Sequence, residues 1–353
     1  MARILYSVQG VGMGHAMRSL VVIEHLCSEG HEVIITANHK AYDFFKTRYP
    51  RVYELKGFDF VLDKNGMMLW IPTFLRWVEK MPVYFLQNTR RLRKIINEFK
   101  PQIVVTDFEP FAHYIANIYR LPLVSIDNQQ RIIFCPLKLS KGYRDEIFRA
   151  KAAIKSFIVK ADYYIILDFA GCKLKKEKNN VFLTPPILRK EIVRAQPTDG
   201  NKILVYMWER YADRAIQVLN KIPEHNFILY GLNREGKEGN VELRLFSTEN
   251  MVKDLAACHA IIGNAGFTLV SEAMFLQKPF LVVPMAGQFE QIVNALEIKE
   301  KNYGLTVDEL TVENVREFLS RLPEFKKSLQ GKDFCGNEKV FTILDKIIKD
   351  NSR

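Results

Sequence analysis

The stretch AIIGNAGFTLVSEAMFLQKPFLVVPMAGQFEQIVNA, residues 260–295, decides the fold. It opens on a short β-rich run, AIIGN (260–264), and turns at Gly263 and Gly266. A helical pattern follows over 267–276, then the strand PFLVVP (279–284) and a helix starting near Gln288. Strand, glycine turn, helix, strand, loop, helix is the repeating unit of a parallel sheet covered by helices. A helix that begins at a glycine turn aims unbonded N–H groups outward and favours an anion such as a diphosphate. Glu272 falls about one and a half turns into that helix, where a carboxylate suits vicinal ribose hydroxyls. Gln288, Glu290 and Gln291 carry amides and a carboxylate whose fixed donors and acceptors suit sugar hydroxyls.

The same rhythm extends in both directions. KILVYM (202–207) and NFILYG (226–231) read as strands, with helices near 212–221 and over MVKDLAAC (251–258). Towards the N-terminus the strands are ARILYSV (2–8), EVIITA (32–37), IVVTD (103–107), LVSID (123–127), YYIIL (163–167) and VFL (181–183), with a helix over about 16–27. The proline-rich, polar segment TPPILRKEIVRAQPTDGN (184–201) reads as a linker. These observations predict two Rossmann-like, doubly wound α/β domains, 1–187 and 188–336, facing each other across a cleft. A C-terminal helix, 337–353, packs back on the first. Ligands of such sheets sit outside the carboxyl ends of the strands.

At the first such end stands Gly10-Val-Gly12-Met-Gly14-His15-Ala-Met-Arg18. Alternate glycines admit a ligand close to the backbone. With Arg18 they form a candidate loop for an acceptor or phosphate. The spacing is neither the dinucleotide pattern nor a P-loop. His15, at the mouth of the turn, is a candidate base for a hydroxyl nucleophile. Asp107, ending IVVTD at the same sheet edge, is a candidate carboxylate behind it, and Glu109 is the other; helix capping is the alternative role for Asp107.

Lys and Arg outnumber Asp and Glu by 28 to 17 in residues 1–187 and match them 23 to 23 beyond, so the net charge of +11 lies wholly in the first half. That asymmetry points to an anionic partner. Residues 67–100 place Trp70, Phe74, Trp77 and Phe85 ahead of Arg90, Arg91, Arg93 and Lys94, a combination suited to an anionic membrane surface. No apolar run of about eighteen residues occurs, so no membrane-spanning helix is expected. The five cysteines are scattered without a C-x-x-C pair, which suggests neither zinc nor a disulfide framework and fits a reduced, cytoplasmic compartment. No nucleic-acid recognition motif interleaves the basic residues.

The segment 263–295 resembles the donor site of glycosyltransferase family 28, the MurG-like enzymes, and the G-x-G-x-G-H of residues 10–15 resembles that family's first loop. The chain looks closest to the MurG-like group of archaea and bacteria. The resemblance implies a GT-B fold, a UDP-sugar donor, no bound metal or cofactor, and sugar transfer with inversion to a lipid-linked or glycan acceptor in envelope glycan or glycolipid synthesis. The enzyme would be peripheral on the inner face of the cell membrane. In residue terms it implies that Glu272 binds ribose. Gly263, Asn264, Gly266, Phe267 and Thr268 would surround the diphosphate. Gln288, Glu290 and Gln291 would meet the sugar, backbone near Phe246 and Ser247 the base, and His15 the reacting hydroxyl. The D-x-E pair Asp107–Glu109 is not read as a metal motif, because GT-B sites work without one. One departure stands out: where the family carries a second glycine-rich loop, this chain reads Tyr206-Met-Trp208-Glu-Arg210. The rival readings are a nucleotide-sugar epimerase of the same fold and a non-catalytic sugar-nucleotide-binding subunit.

Overall fold

In a computed structural model the described residues are 1–57, 61, 69–137 and 144–352. The chain divides into two compact units. The first runs to Arg189 and takes in the C-terminal segment Cys335–Arg353; the second spans Lys190–Phe334.

The first unit comprises β1 (Arg3–Val8), α1 (Met13–Ser28), β2 (Glu32–Ala37), α2 (His39–Lys46), β3 (Val52–Glu54), α3 (Trp70–Phe99), β4 (Ile103–Asp107), α4 (Pro110–Tyr119), β5 (Leu123–Asp127), α5 (Arg131–Phe134), α6 (Arg144–Phe157), β6 (Tyr163–Leu167) and β7 (Val181–Thr184). Its strands lie in the order β3-β2-β1-β4-β5-β6-β7 and every pairing is parallel. Strand alternation sends Leu5, Val104, Leu123 and Ile166 into one apolar layer with Leu92, Ile95 and Ile96 of α3 and Phe111 and Ile115 of α4. Tyr6 points to the opposite face, where its hydroxyl meets Ser19 of α1.

The second unit comprises α7 (Lys190–Arg194), β8 (Lys202–Tyr206), α8 (Glu209–Leu219), β9 (Asn226–Tyr230), β10 (Gly236–Glu238), β11 (Val241–Leu243), α9 (Thr248–Ala257), β12 (Ala260–Gly263), α10 (Phe267–Phe275), β13 (Phe280–Val282), α11 (Phe289–Glu300), β14 (Gly304–Thr306), α12 (Val312–Ser320) and α13 (Leu322–Leu329). Its order is β10-β11-β9-β8-β12-β13-β14, parallel except for the β10–β11 pair. Ile203, Val205, Leu229, Ile262 and Leu281 form its core with Ala212 and Ile216 of α8 and Val315 and Phe318 of α12.

The last helix, α14 (Asn337–Asn351), belongs to the first unit. Its Asp345 meets His25 Nε2 at 2.9 Å, and Phe341 stacks on the same imidazole with centroids 4.0 Å apart.

Both sheets reverse their strand order at one point, between β1 and β4 in the first unit and between β8 and β12 in the second. Loops leaving neighbouring strands there run to opposite faces and open a crevice at the strand ends. These two crevices hold the residues of interest.

Three expectations are corrected. Helix α1 starts at Met13, so Gly14 is helical rather than part of the turn. The structure pairs Cys135 with Cys172, with Cα atoms 6.4 Å apart, because neighbouring β5 and β6 bring the two following loops together. Trp77 is half-buried against Phe157 at 5.5 Å rather than facing outward. Residues 67 and 68 and the side chains of Trp70 and Phe74 lie outside the described residues.

Candidate functional site

The first crevice is built on the step from β1 into α1. Gly10 is fixed by packing: an added Cβ would lie 1.7 Å from the Asn38 carbonyl oxygen. Its N–H donates to Asn38 Oδ1 at 2.7 Å. Gly10 therefore shapes the turn, and its N–H is engaged within it. Gly12 is different. It is the N-cap of α1, in extended conformation, and nothing lies within 4 Å of where its Cβ would stand. No side-chain hydrogen bond caps the helix at Gly12, so its first-turn amides have no cap from that residue.

His15, in the first turn of α1, is 17% exposed at the side chain, and its Nδ1 lies 2.7 Å from Asp107 Oδ1. Arg18 and Ser19 follow at i+3 and i+4, on the same helix face. Arg18 Nε donates to Asp107 Oδ2 at 2.7 Å, Nη2 donates to Oδ1, and Nη1 donates to Asn128 Oδ1 at 2.7 Å. Ser19 Oγ donates to Asp107 Oδ2 at 2.9 Å. Asp107 is 1% exposed. Burial alone would push its carboxyl up, but the charges and hydrogen bonds of Arg18 and His15 outweigh it and hold the group at about 2. The carboxylate is thus ionised and firmly oriented behind the imidazole. Arg18, expected to reach a phosphate, is 5% exposed and turned inward on this carboxylate.

Glu109, the other candidate carboxylate, is a helix cap. Its side chain accepts from the N–H groups of Phe111 (3.1 Å) and Ala112 (2.8 Å) at the start of α4, and Ser7 Oγ donates to it at 2.9 Å. It is fully buried, which raises its pKa, with the backbone and Ser7 hydrogen bonds opposing. Between the two acids Phe108 has φ 57°, a left-handed backbone uncommon for a bulky side chain. That turn separates the roles of Asp107 and Glu109. A third acid, Asp127 at the end of β5, is buried, and burial lifts its carboxyl to about 6 against hydrogen bonds from Ser125 and the Gln130 N–H.

The second crevice repeats the backbone design, with neutral amides at the turn and one buried acid, Glu272, in the helix that follows. Gly263 is required by packing, since a Cβ would stand 2.4 Å from the Tyr206 carbonyl oxygen. Asn264 ties three strand ends: Oδ1 accepts from Trp208 N at 3.1 Å and Nδ2 donates to the Val283 oxygen at 3.0 Å. Its side chain is therefore structural. Gly266 matches Gly12: it is the N-cap of α10, and nothing lies within 4 Å of its missing Cβ. The amides of Phe267 and Thr268 follow it at the helix start. Glu272 is 3% exposed, and after burial its charge is the second cause raising the Tyr206 phenol.

Gln291 Oε1 accepts from Met285 N at 3.0 Å, and its Nε2 donates to Gln288 Oε1 at 2.8 Å. These amides brace the loop before α11, while Glu290 stands partly exposed in that helix's first turn. Phe246 is 59% exposed, 6.5 Å from the Tyr206 ring. Ser247 Oγ caps α9 by accepting from Asn250 N at 3.2 Å. Asn294, fully buried, donates from Nδ2 to the Ala265 oxygen at 2.9 Å and pins the turn ahead of Gly266. It stands in the quoted motif, yet its role is not legible without the three-dimensional turn. Trp208, 44% exposed, is the N-cap of α8 at the place of the missing glycine loop.

Residues 2–323 match the family model described as glycosyl transferase family 1. An uncharacterized glycosyltransferase of Methanosarcina acetivorans is 24% identical over 363 residues, covering 90% of each chain. The UDP-N-acetylglucosamine--N-acetylmuramyl-(pentapeptide) pyrophosphoryl-undecaprenol N-acetylglucosamine transferase of Thermosipho africanus is 24% identical over 268 residues, 69% of this chain and 73% of that one. Among solved structures, CalG4, the calicheamicin glycosyltransferase, superposes with a TM-score of 0.70 at 14% identity over the full length of both chains. The chain has the GT-B fold and belongs to glycosyl transferase family 1.

Proposed function

We propose that the chain transfers a sugar, with inversion, from a nucleotide-diphosphate sugar held by the second unit to a hydroxyl acceptor activated by His15 of the first. The observation that carries this reading is the His15–Asp107 contact beside an open helix start: a base with an oriented, ionised carboxylate behind it. Asp107 directs the Nδ1 hydrogen inward, which leaves Nε2 to take the proton of the nucleophile. The α10 amides at Gly266 meet the leaving diphosphate, and Glu272 the ribose. No bound metal takes part in this scheme; the helix start supplies the positive end instead. The names of the Thermosipho relative and its kin favour UDP-N-acetylglucosamine as the first donor to test and a lipid-linked acceptor.

A membrane-facing acceptor also fits α3. Leu75, Val78 and Leu86, each more than half exposed, share one helix face, which continues into the exposed Arg90 and Arg93. Among the described residues no helix is long and apolar enough to cross a membrane. The chain would sit on the anionic cytoplasmic face as a peripheral protein. Flotation with anionic and neutral vesicles tests this: binding to anionic vesicles that is lost in Leu75→Glu/Leu86→Glu supports it, and equal, negligible binding to both contradicts it. For the chemistry, His15→Ala should abolish most transfer while leaving UDP-sugar binding intact. Unchanged transfer rejects the base assignment.

A further inference from the structure

Arg18 is a charged member of the first crevice that a histidine–carboxylate pair does not need. In a bare pair the carboxylate charge is directed at the imidazole and favours its protonated form. Here four groups face the two oxygens of Asp107: Arg18 Nη2, Arg18 Nε and Ser19 Oγ donate, and His15 Nδ1 lies 2.7 Å from Oδ1. Two of the four come from one guanidinium, in the fork geometry that Arg presents to carboxylates. The same guanidinium lies beside the ring, with Nη2 2.8 Å from His15 Nδ1.

Nδ1 holds either a hydrogen or a lone pair. With a hydrogen it donates to Asp107, and Nε2 is bare. With a lone pair it accepts from Arg18, Nε2 carries the hydrogen, and the ring cannot act as a base. Only the first arrangement gives Asp107 its fourth donor. In it, a cation next to the ring opposes a second proton on Nε2.

We infer that Arg18 is a positioning residue that neutralises Asp107, so that His15 rests as the neutral Nδ1–H tautomer with Nε2 bare instead of being held as an imidazolium by its carboxylate. This deepens the reading of His15 as the base and rests on it for its use in transfer, although the resting state of the ring stands alone. Among the described residues, titratable groups that interact with the network include Tyr6 from β1 and Asp127 from β5. Tyr6 keeps its phenol proton because it is buried and near Asp107. Asp127 is a second carboxylate within the field of Arg18. Asn128 Oδ1 holds the remaining guanidinium nitrogen and so fixes the fork.

The test is long-range ¹H–¹⁵N NMR of the intact protein labelled at histidine, with the His15 signals assigned by their loss in His15→Gln. The wild-type ring at pH 7 should show the Nδ1–H neutral pattern. Arg18→Met should raise the ratio of imidazolium to neutral ring at that pH about tenfold or more, by removing the cation and exposing the carboxylate charge. Arg18→Met/Asp107→Asn, in which neither charge is left alone, should return the ratio towards wild type. A wild-type ring that is imidazolium or Nε2–H overturns the inference, and so does a folded Arg18→Met with an unchanged ratio. If that single variant fails to fold, the wild-type tautomer and the double variant still decide. Full transfer activity in His15→Ala would defeat the catalytic reading while leaving these spectra as they are, so the two failures are distinguishable.

Discussion

The two strand-order reversals share a backbone plan and differ in their chemistry. Each has a packing glycine at or just past a strand end, Gly10 or Gly263, and each opens its helix with a glycine that has empty space at its Cβ, Gly12 or Gly266. Around that plan the first unit gathers buried charges: Asp107, Arg18 and Asp127 are all 5% exposed or less. In the second, neutral amides do the bracing around a single buried acid, Glu272: Asn264 and Asn294 tie the turn to its neighbours, and Gln288 and Gln291 hold the loop before α11. Moving a proton requires a base whose charge state is controlled, and buried ionic partners control it. Holding a diphosphate requires oriented N–H groups and a firm turn, which neutral ties supply without competing for the ligand.

That contrast predicts an unequal set of mutant phenotypes. The largest effect belongs to His15: His15→Ala should lower turnover about 10²–10⁴-fold with donor affinity unchanged, checked by transfer assay and calorimetry. Next is Asp107→Asn, which leaves the Arg18 guanidinium buried without its counter-charge and should cost about 3–5 kcal/mol in denaturant unfolding.

Gly263→Ala should destabilise the fold, because its Cβ meets the Tyr206 oxygen at 2.4 Å. Gly266→Ala should leave stability within about 1 kcal/mol of wild type, because φ is −66° and the space is open, yet weaken UDP-sugar binding. Equal donor affinity in Gly266→Ala would show that no ligand approaches this turn.

The smallest effect concerns Asp127. Its folded pKa, about 6, lies above the ordinary carboxylate value. Its contribution is therefore fully stabilising only below about pH 4 and is lost as pH rises through about 6. Asp127→Asn should therefore be more stable than wild type at pH 7, by about 1–3 kcal/mol, with the advantage vanishing near pH 4. Asp107 runs the other way: its stabilisation is present above about pH 4 and is lost as pH falls through about 2. Chemical unfolding of the two variants across pH 3–7 checks both signs.

Much of this was legible in the chain. The apolar runs give the strands, and glycine turns at their ends mark where the helices begin. The two crevices follow, because a histidine after β1 and an aspartate ending β4 must share one sheet edge. What stayed hidden was partner choice. Arg18 sits one turn from His15, so its helix face was readable, but not that the guanidinium turns inward to Asp107 and Asn128 instead of outward to a ligand. Asp107 and Glu109 looked equivalent until the left-handed turn at Phe108 assigned one to the histidine and the other to a helix start. Cys135 and Cys172 meet through strand order, which spacing does not encode. The role of Asn294 also needed the turn it pins.

The two crevices would divide the labour, with the donor diphosphate gripped at Gly266 and the proton taken at His15. Calorimetric titration of wild type, His15→Ala and Gly266→Ala with UDP-sugars tests it most directly. His15→Ala should bind like wild type and Gly266→Ala at least about tenfold more weakly, a difference of about 1.4 kcal/mol. The reverse order of affinities, or no heat from wild type with any sugar nucleotide, would contradict it.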